Sequence, residues 1–216
     1  MWDLFLRSLP LLQTAFLMTL GLGFASFVLG CVLGLAIALL RNSQGRILRT
    51  IAFAYVSIFR GTPLLVQMLL IYFGLPHYGI VVSPIPSALI ALSLFAAAYL
   101  SEIFRSGINS VDPGQWEAAD SMSMGYWVCL RRIILPQAFR IALPPMGSRL
   151  IALIKDTSLA STITVMELTR VAEQVGAATF KYMEMFVMVG AMYWVVNQLL
   201  TILQTWLEGR WTRHMR

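Results

Sequence analysis

From Met18 to Leu40 the chain carries no charged side chain, and Thr19 and Ser26 are the only hydroxyl-bearing residues in that run. A helix of this length crosses a ~30 Å hydrocarbon core. In lipid the backbone must satisfy its own hydrogen bonds, so a lone segment of this kind has to be helical. This run alone removes most soluble architectures. Composition agrees: 58% of residues are hydrophobic and 12% are charged, where a soluble domain sits nearer half apolar and about a quarter charged. The chain has 216 residues, which fits one domain.

Further apolar segments follow. The chain reads as an all-α polytopic membrane protein, a single transmembrane domain over residues 1–216, with five spans at approximately 12–40, 52–78, 86–105, 147–166 and 183–207. The second is interrupted by Arg60-Gly61. A buried arginine is costly in a bilayer, so the helix should enter near Ile51 with Arg60 facing protein or snorkelling to the inner interface. Pro84-Ile85-Pro86 breaks the chain before the third span. Gly30-Cys31-Val32-Leu33-Gly34 has small residues at the spacing that permits close helix packing. It serves either packing within the subunit or a dimer interface. Ala36-Ile37-Ala38 mimics a signal-peptide cleavage site, but the apolar run before it is too long for a signal h-region and closes at Arg41. The first span is therefore expected to act as an uncleaved insertion signal.

Net charge is +6, yet the basic residues do not gather into a stretch with aromatics, so no nucleic-acid partner is expected. They read instead as topology signals. With the N-terminus outside, the inner segments hold Arg41, Arg46 and Arg49, then Arg105, Arg131, Arg132, Arg140 and Arg149, then Arg210, Arg213 and Arg216. The outer segments hold Arg7, Arg170 and Lys181. The bias puts the N-terminus outside and the C-terminus in the cytoplasm, and with it the long polar loop 106–145. Cys31 and Cys129 fall at different depths, so no disulfide is expected. His77 and His214 lack ligand-spaced neighbours, so no metal site is expected.

The loop carries the most structure. Asp112-Pro113-Gly114 suits a turn or helix start. Gln115–Met122 reads as a short helix, and Tyr126–Leu135 as a second, leading to Pro136. Ala118 and Ala119 are small enough for another protein to come close, and Glu117 offers it a charge. From the residues alone, a docking element and an ordinary structured loop both remain open. In the fourth span Ser148, Lys155, Ser158 and Thr162 share a face at 100° per residue, with Asp156 about 100° round. Polar groups in a span face protein or a water-filled cavity. Lys155 and Asp156 either offer a cation and an anion to such a cavity or hold a structural ion network. Thr62 and Gln67 are further cavity candidates. Glu102 and Arg105, three apart on a helix, read as a structural ion pair. The methionines Met183, Met185, Met188 and Met192 read as packing.

Glu117-Ala118-Ala119 followed in register by Ile133, Leu135 and Pro136 resembles the EAA loop of ABC importer permeases. The loop glycine is out of place: Ser123 stands at its position and Gly125 lies two residues on. Glycine would accept positive φ cheaply there, whereas serine would not. Phe59-Arg60-Gly61-Thr62-Pro63-Leu64-Leu65-Val66-Gln67, Ala97-Ala98-Tyr99 with Glu102, and Lys155-Asp156-Thr157-Ser158-Leu159-Ala160 look like the polar amino-acid branch of that family. The resemblance covers roughly residues 10–208. Tyr78-Gly79-Ile80, Pro84-Ile85-Pro86-Ser87-Ala88 and Ala142-Leu143-Pro144-Pro145 lean toward cystine-type permeases.

The resemblance implies a bacterial inner-membrane permease subunit working by alternating access as a dimer with a second copy or a paralogue. Two ATPase subunits would bind its loops, with Glu117, Ala118, Ala119, Ser123, Gly125, Ile133, Leu135 and Pro136 forming the coupling surface. An extracytoplasmic solute-binding protein would deliver the amino acid, with Thr62, Gln67, Lys155, Asp156, Thr157, Ser158 and Thr162 as path candidates. This chain would bind no cofactor; ATP and Mg would sit in the partner, consistent with the absence of a phosphate-cradling Gly-rich loop here. The alternative is a non-transporting scaffold or sensor that docks a cytoplasmic partner through 106–145.

Overall fold

A computed structural model describes residues 2–43 and 45–212. Arg213, His214 and Arg216 lie outside the described residues. All regular elements among the described residues are helical. The chain opens with α1 (Trp2–Arg41), then α2 (Arg46–Gly61) and α3 (Leu64–Leu69), which continues as a π-turn to Gly74 and a 3₁₀ turn to Tyr78. Next come α4 (Pro84–Asn109), α5 (Pro113–Ser121), α6 (Tyr126–Cys129) and α7 (Leu135–Asp156). A 3₁₀ segment, Thr157–Ile163, leads to α8 (Leu168–Thr179) and α9 (Tyr182–Thr212).

The helices α1 and α4 form the largest packed pair. Gly30 and Gly34 lie against α4: a Cβ on Gly30 would meet the Ala96 Cβ at 2.8 Å, and one on Gly34 would meet the Ala97 carbonyl oxygen at 3.0 Å. The small-residue spacing is thus used inside the subunit. Ala91, Leu92, Ala96 and Leu100 of α4 are fully buried in the main core, together with Met68 of α3 and Leu153 of α7. A second core gathers Leu12 and Ala15 of α1, Leu168 and Ala172 of α8, and Met185 and Met188 of α9.

Among the described residues, three helices are long and apolar enough to cross a membrane: α1, α4 and α9. The predicted 52–78 span supplies a fourth only as a bent pair, turning by 105° between Gly61 and Leu64. Its cause is local. Thr62 precedes Pro63, whose ring disfavours α geometry in the residue before it, and Thr62 is extended at φ −118°, ψ 147°. The predicted 147–166 span does not match one element. Helix α7 starts earlier, at Leu135, and stops at Asp156. Residues 157–163 are 3₁₀ and end at Thr164, in the left-handed region at φ 68°. The face proposed for Ser148, Lys155, Ser158 and Thr162 therefore does not persist, because a 3₁₀ turn advances by about 120° per residue rather than 100°.

The boundary placed at Pro145 also shifts. The backbone stays helical from Tyr126 through Asp156, passing Pro136, Pro144 and Pro145. Just ahead of Pro136 the chain widens into a π-turn, in which Leu135 N–H donates to the Leu130 carbonyl. That turn makes room for a ring that would otherwise meet the carbonyl four residues earlier. At Pro144, the Gln204 side chain of α9 donates to the carbonyl oxygen at 3.0 Å.

Candidate functional site

Helix α5 is built by its two ends. Asp112 is the N-cap, and its carboxylate accepts from Gly114 N–H at 2.7 Å; Pro113 opens the helix, where its missing N–H costs nothing. At the other end Met124 N–H donates to Ala119 C=O at 3.0 Å and Ser123 N–H to Asp120 C=O at 2.8 Å. These two bonds make a Schellman motif with Ser123 at its left-handed position, and Ser123 has φ 55°. The strained position is the one where the EAA pattern expects glycine. Gly125 has φ −63° and ψ 147°, a geometry open to any residue, so it offers no relief.

The cap turns α5 back onto α6 and the start of α7. Ala119 is buried with Ile108, Val111, Cys129, Leu130, Ile134 and Ala138 in a core of the loop's own. Both alanines are small enough for a partner to come close, but only Ala118 is exposed, beside Glu117; Ala119 faces inward and anchors the helix. Ile133 and Leu135 are partly buried against the same core, and Pro136 and Gly125 are exposed. Trp116 and Tyr126 stack across the turn with ring centroids 5.7 Å apart.

A second cluster lies on α4 and the helices around it. Glu102 accepts from Arg105, one turn on, and from Arg41 at the end of α1. The Arg60 guanidinium is 3.8 Å from the same carboxylate. It also sits 5.1 Å from the Tyr99 ring centroid, and Arg149 approaches that ring at 4.8 Å. Arg149 in turn pairs with Asp156 at 2.9 Å. Arg41, Arg60, Arg105 and Arg149 thus gather around the Glu102 and Asp156 carboxylates and the Tyr99 ring, with Arg149 also 4.9 Å from the Phe95 ring centroid, binding the ends of α1 and α2 to α4 and α7. Cation–π contacts of this kind contribute about 0.5–2 kcal/mol each. Sequence reasoning paired Glu102 with Arg105 but missed Arg41, Arg60, Arg149 and Tyr99. Helical spacing finds partners three or four residues apart; Arg41 is 61 residues from Glu102.

The remaining path candidates separate. Gln67 is buried, and its amide donates to Phe59 C=O at 2.9 Å, Thr62 C=O at 3.2 Å and Thr62 Oγ1 at 2.9 Å. It staples the kink between α2 and α3. Its carbonyl oxygen is buried without a partner. Asp156 points to Arg149 rather than to Lys155. Thr157 is buried, with its hydroxyl on Ile154 C=O at 2.7 Å. Lys155 and Thr162 are exposed and Ser158 is half-buried. One buried carboxylate went unnoticed in the sequence: Glu167, fully buried, caps α8 through the N–H groups of Thr169 and Arg170 and accepts from the Tyr193 hydroxyl at 2.8 Å.

Residues 30–213 match the family model described as binding-protein-dependent transport system inner membrane component. Among curated relatives, the chain is 45% identical to the probable amino-acid ABC transporter permease protein YckA of Bacillus subtilis (strain 168), over 91% of this chain and 87% of that one. It is 43% identical to the L-cystine transport system permease protein TcyB of the same organism, over 99% and 92%. Among solved structures, an amino acid ABC transporter with histidines superposes with a TM-score of 0.90 at 36% identity, covering 95% of this chain and 96% of the other. The inward-facing MetNI methionine ABC transporter shares the fold, with a TM-score of 0.81 at 20% identity over 95% and 98%. The match over most of the chain, the identity to curated permeases and the shared helical fold agree: the chain belongs to the inner membrane component family of binding-protein-dependent transport systems, the ABC importer permeases, whose role in transport is non-catalytic.

Proposed function

We propose that this chain is the permease subunit of an ATP-driven importer for an amino acid, cystine or another polar one, working by alternating access. In this reading it crosses the bacterial inner membrane five times, the fourth crossing being α7 with its 3₁₀ extension. The N-terminus is outside and the C-terminus cytoplasmic. It works as a dimer with a second copy or a paralogue, and an extracytoplasmic solute-binding protein supplies the substrate. The identity to YckA and TcyB supports the substrate class.

The observation that carries the reading is mechanical. The exposed Glu117–Ala118 surface of α5 is locked by the Schellman turn and the Ala119 core onto a helix that runs unbroken from Tyr126 to Asp156. A force applied by an ATPase subunit at α5 therefore reaches Arg149 and Asp156 without crossing a flexible joint. The partner subunit binds ATP and Mg and hydrolyses the nucleotide. Within the spans, Asp156 serves the ion network with Arg149, and Lys155, Ser158 and Thr162, no longer on one shared face, stay separate candidates for the substrate path, with Gln67 holding the kink between α2 and α3.

The test is Glu117→Lys in the reconstituted importer. Glu117 is exposed, so the variant should insert and fold normally. Substrate uptake in proteoliposomes is expected to fall to background while the chain remains in the membrane. Normal uptake with normal ATPase association would remove α5 from the coupling role. A partner that binds with no ATP-dependent flux in the unaltered protein would make the chain a scaffold instead.

A further inference from the structure

We infer that the face of α7 turned away from the arginine cluster holds an inner-leaflet phospholipid, with an acyl chain in a groove between α1, α7 and α9 and the headgroup phosphate on Arg140. The groove has a volume of about 390 Å³ and is walled by Phe27 of α1, Leu143, Gly147 and Ile151 of α7, and Leu203 of α9. Its charged end is formed by Arg140 and Glu208.

Three observations select a lipid as the occupant. The first is direction. Ile141 and Pro145 of α7 line the cavity shared with Arg60, Tyr99 and Glu102. At 100° per residue, Arg140, Leu143, Gly147 and Ile151 lie about 120–160° round from Pro145. The groove thus opens away from the charged face on which a polar substrate would travel. The second is length. From Arg140 to Ile151 the helix rises about 16 Å at ~1.5 Å per residue, which is close to the roughly 15 Å half-thickness of a hydrocarbon core. The groove is one leaflet deep. The third is charge. Its polar end lies at the basic end of the chain, with Arg131 and Arg132 on the same helical stretch and Arg210 stacked on Trp206. Arg140 is exposed there, free to fork onto a phosphate. Glu208, the acidic residue that lines that end, accepts from the Gln204 amide at 2.8 Å, and Gln204 also fastens α9 to α7 through Pro144 C=O. Gly147 lets that fastening form, since a Cβ there would meet the Gln204 side chain at 2.7 Å.

The experiment is native mass spectrometry of the purified importer complex, titrated with palmitoyl-oleoyl phosphatidylglycerol or with the matching phosphatidylcholine. The unaltered complex is expected to retain phosphatidylglycerol preferentially. Arg140→Gln should weaken phosphatidylglycerol about five-fold, the effect of one basic residue near an anionic surface, and weaken phosphatidylcholine less, because its choline cation offsets the charge of the phosphate that Arg140 holds. Leu203→Trp, which fills the groove from a half-exposed position, should weaken both lipids. Undiminished phosphatidylglycerol binding by Arg140→Gln, or undiminished binding of both lipids by Leu203→Trp, overturns the assignment. So does a disulfide between two copies of a Leu203→Cys variant in membranes, because the groove would then face a second chain. Association with the ATPase subunit, measured alongside, separates these results from misfolding.

Discussion

Ser123→Gly is expected to stabilise the loop, and the size of the gain follows from two opposing terms. Ser123 has φ 55°, where an L side chain costs about 1–2 kcal/mol because its Cβ crowds the following carbonyl. Glycine removes that cost but gives the unfolded chain more freedom, worth about 0.5–1 kcal/mol in the other direction. The net gain is about 0.5–1 kcal/mol. Ser123 is exposed, and among the described residues its hydroxyl makes no hydrogen bond, so no packing term clouds the comparison. The gain should be local, since the residue closes α5 rather than a span. Amide hydrogen exchange reads it directly: the Ser123 and Met124 N–H groups, which donate to Asp120 and Ala119, should exchange about two- to five-fold more slowly, by the conversion of ~1.4 kcal/mol per factor of ten. Ser123→Val should move both amides the opposite way, because a β-branched side chain tolerates this region worst. If Ser123→Gly leaves exchange unchanged, or speeds it, the left-handed serine carries no strain and the argument fails.

Gly34→Leu should lower the melting temperature of the detergent-solubilised protein, at a cost of about 1–3 kcal/mol for overpacking, because its Cβ alone would stand 3.0 Å from both the Ala97 carbonyl oxygen and the Leu100 Cβ. Gly21→Ala on the same helix meets nothing within 4 Å and should be neutral or stabilising, which makes it the control for helix propensity. Glu102→Gln should destabilise by about 3 kcal/mol, since Arg41, whose side chain is only 13% exposed, is left as a nearly buried charge without its counterion. Adding Arg41→Gln to that variant should recover part of the loss in thermal unfolding; strict additivity would mean the two groups do not interact.

What the sequence discloses here is what short-range rules govern. The uncharged run in α1 and the helix start at Asp112-Pro113-Gly114 depend on residues within one or two turns and can be read without a fold, whereas the demand for positive φ at Ser123 is legible only through the glycine that the EAA pattern places there. The arginine cluster depends on helix ends that meet only after α1, α2, α4 and α7 have packed, so no spacing rule assembles Arg41, Arg60 and Arg149 around Glu102 and Tyr99. Ala119 illustrates the same divide. Its size is legible as a close-contact residue, but whether the contact is with a partner or with the loop's own core depends on how α5 folds back, and the fold turns it inward.

The prolines mislead for a related reason. Pro136 and the Pro144-Pro145 pair read locally as breaks, and a break would place a joint between α5 and the spans. The structure keeps the helix running at both sites: a local π-turn absorbs the first ring, and a distant side chain from α9 engages the Pro144 carbonyl. The outcome is one helical lever of residues 126–156. Its first turns hold the loop core, its middle separates a charged face from an apolar one, and its last residue is tied to Arg149. A lever of this kind transmits displacement only while both proline sites stay helical. In the proposed mechanism, the π-turn ahead of Pro136 and the Gln204–Pro144 bond therefore serve coupling as much as the exposed Glu117 at the far end.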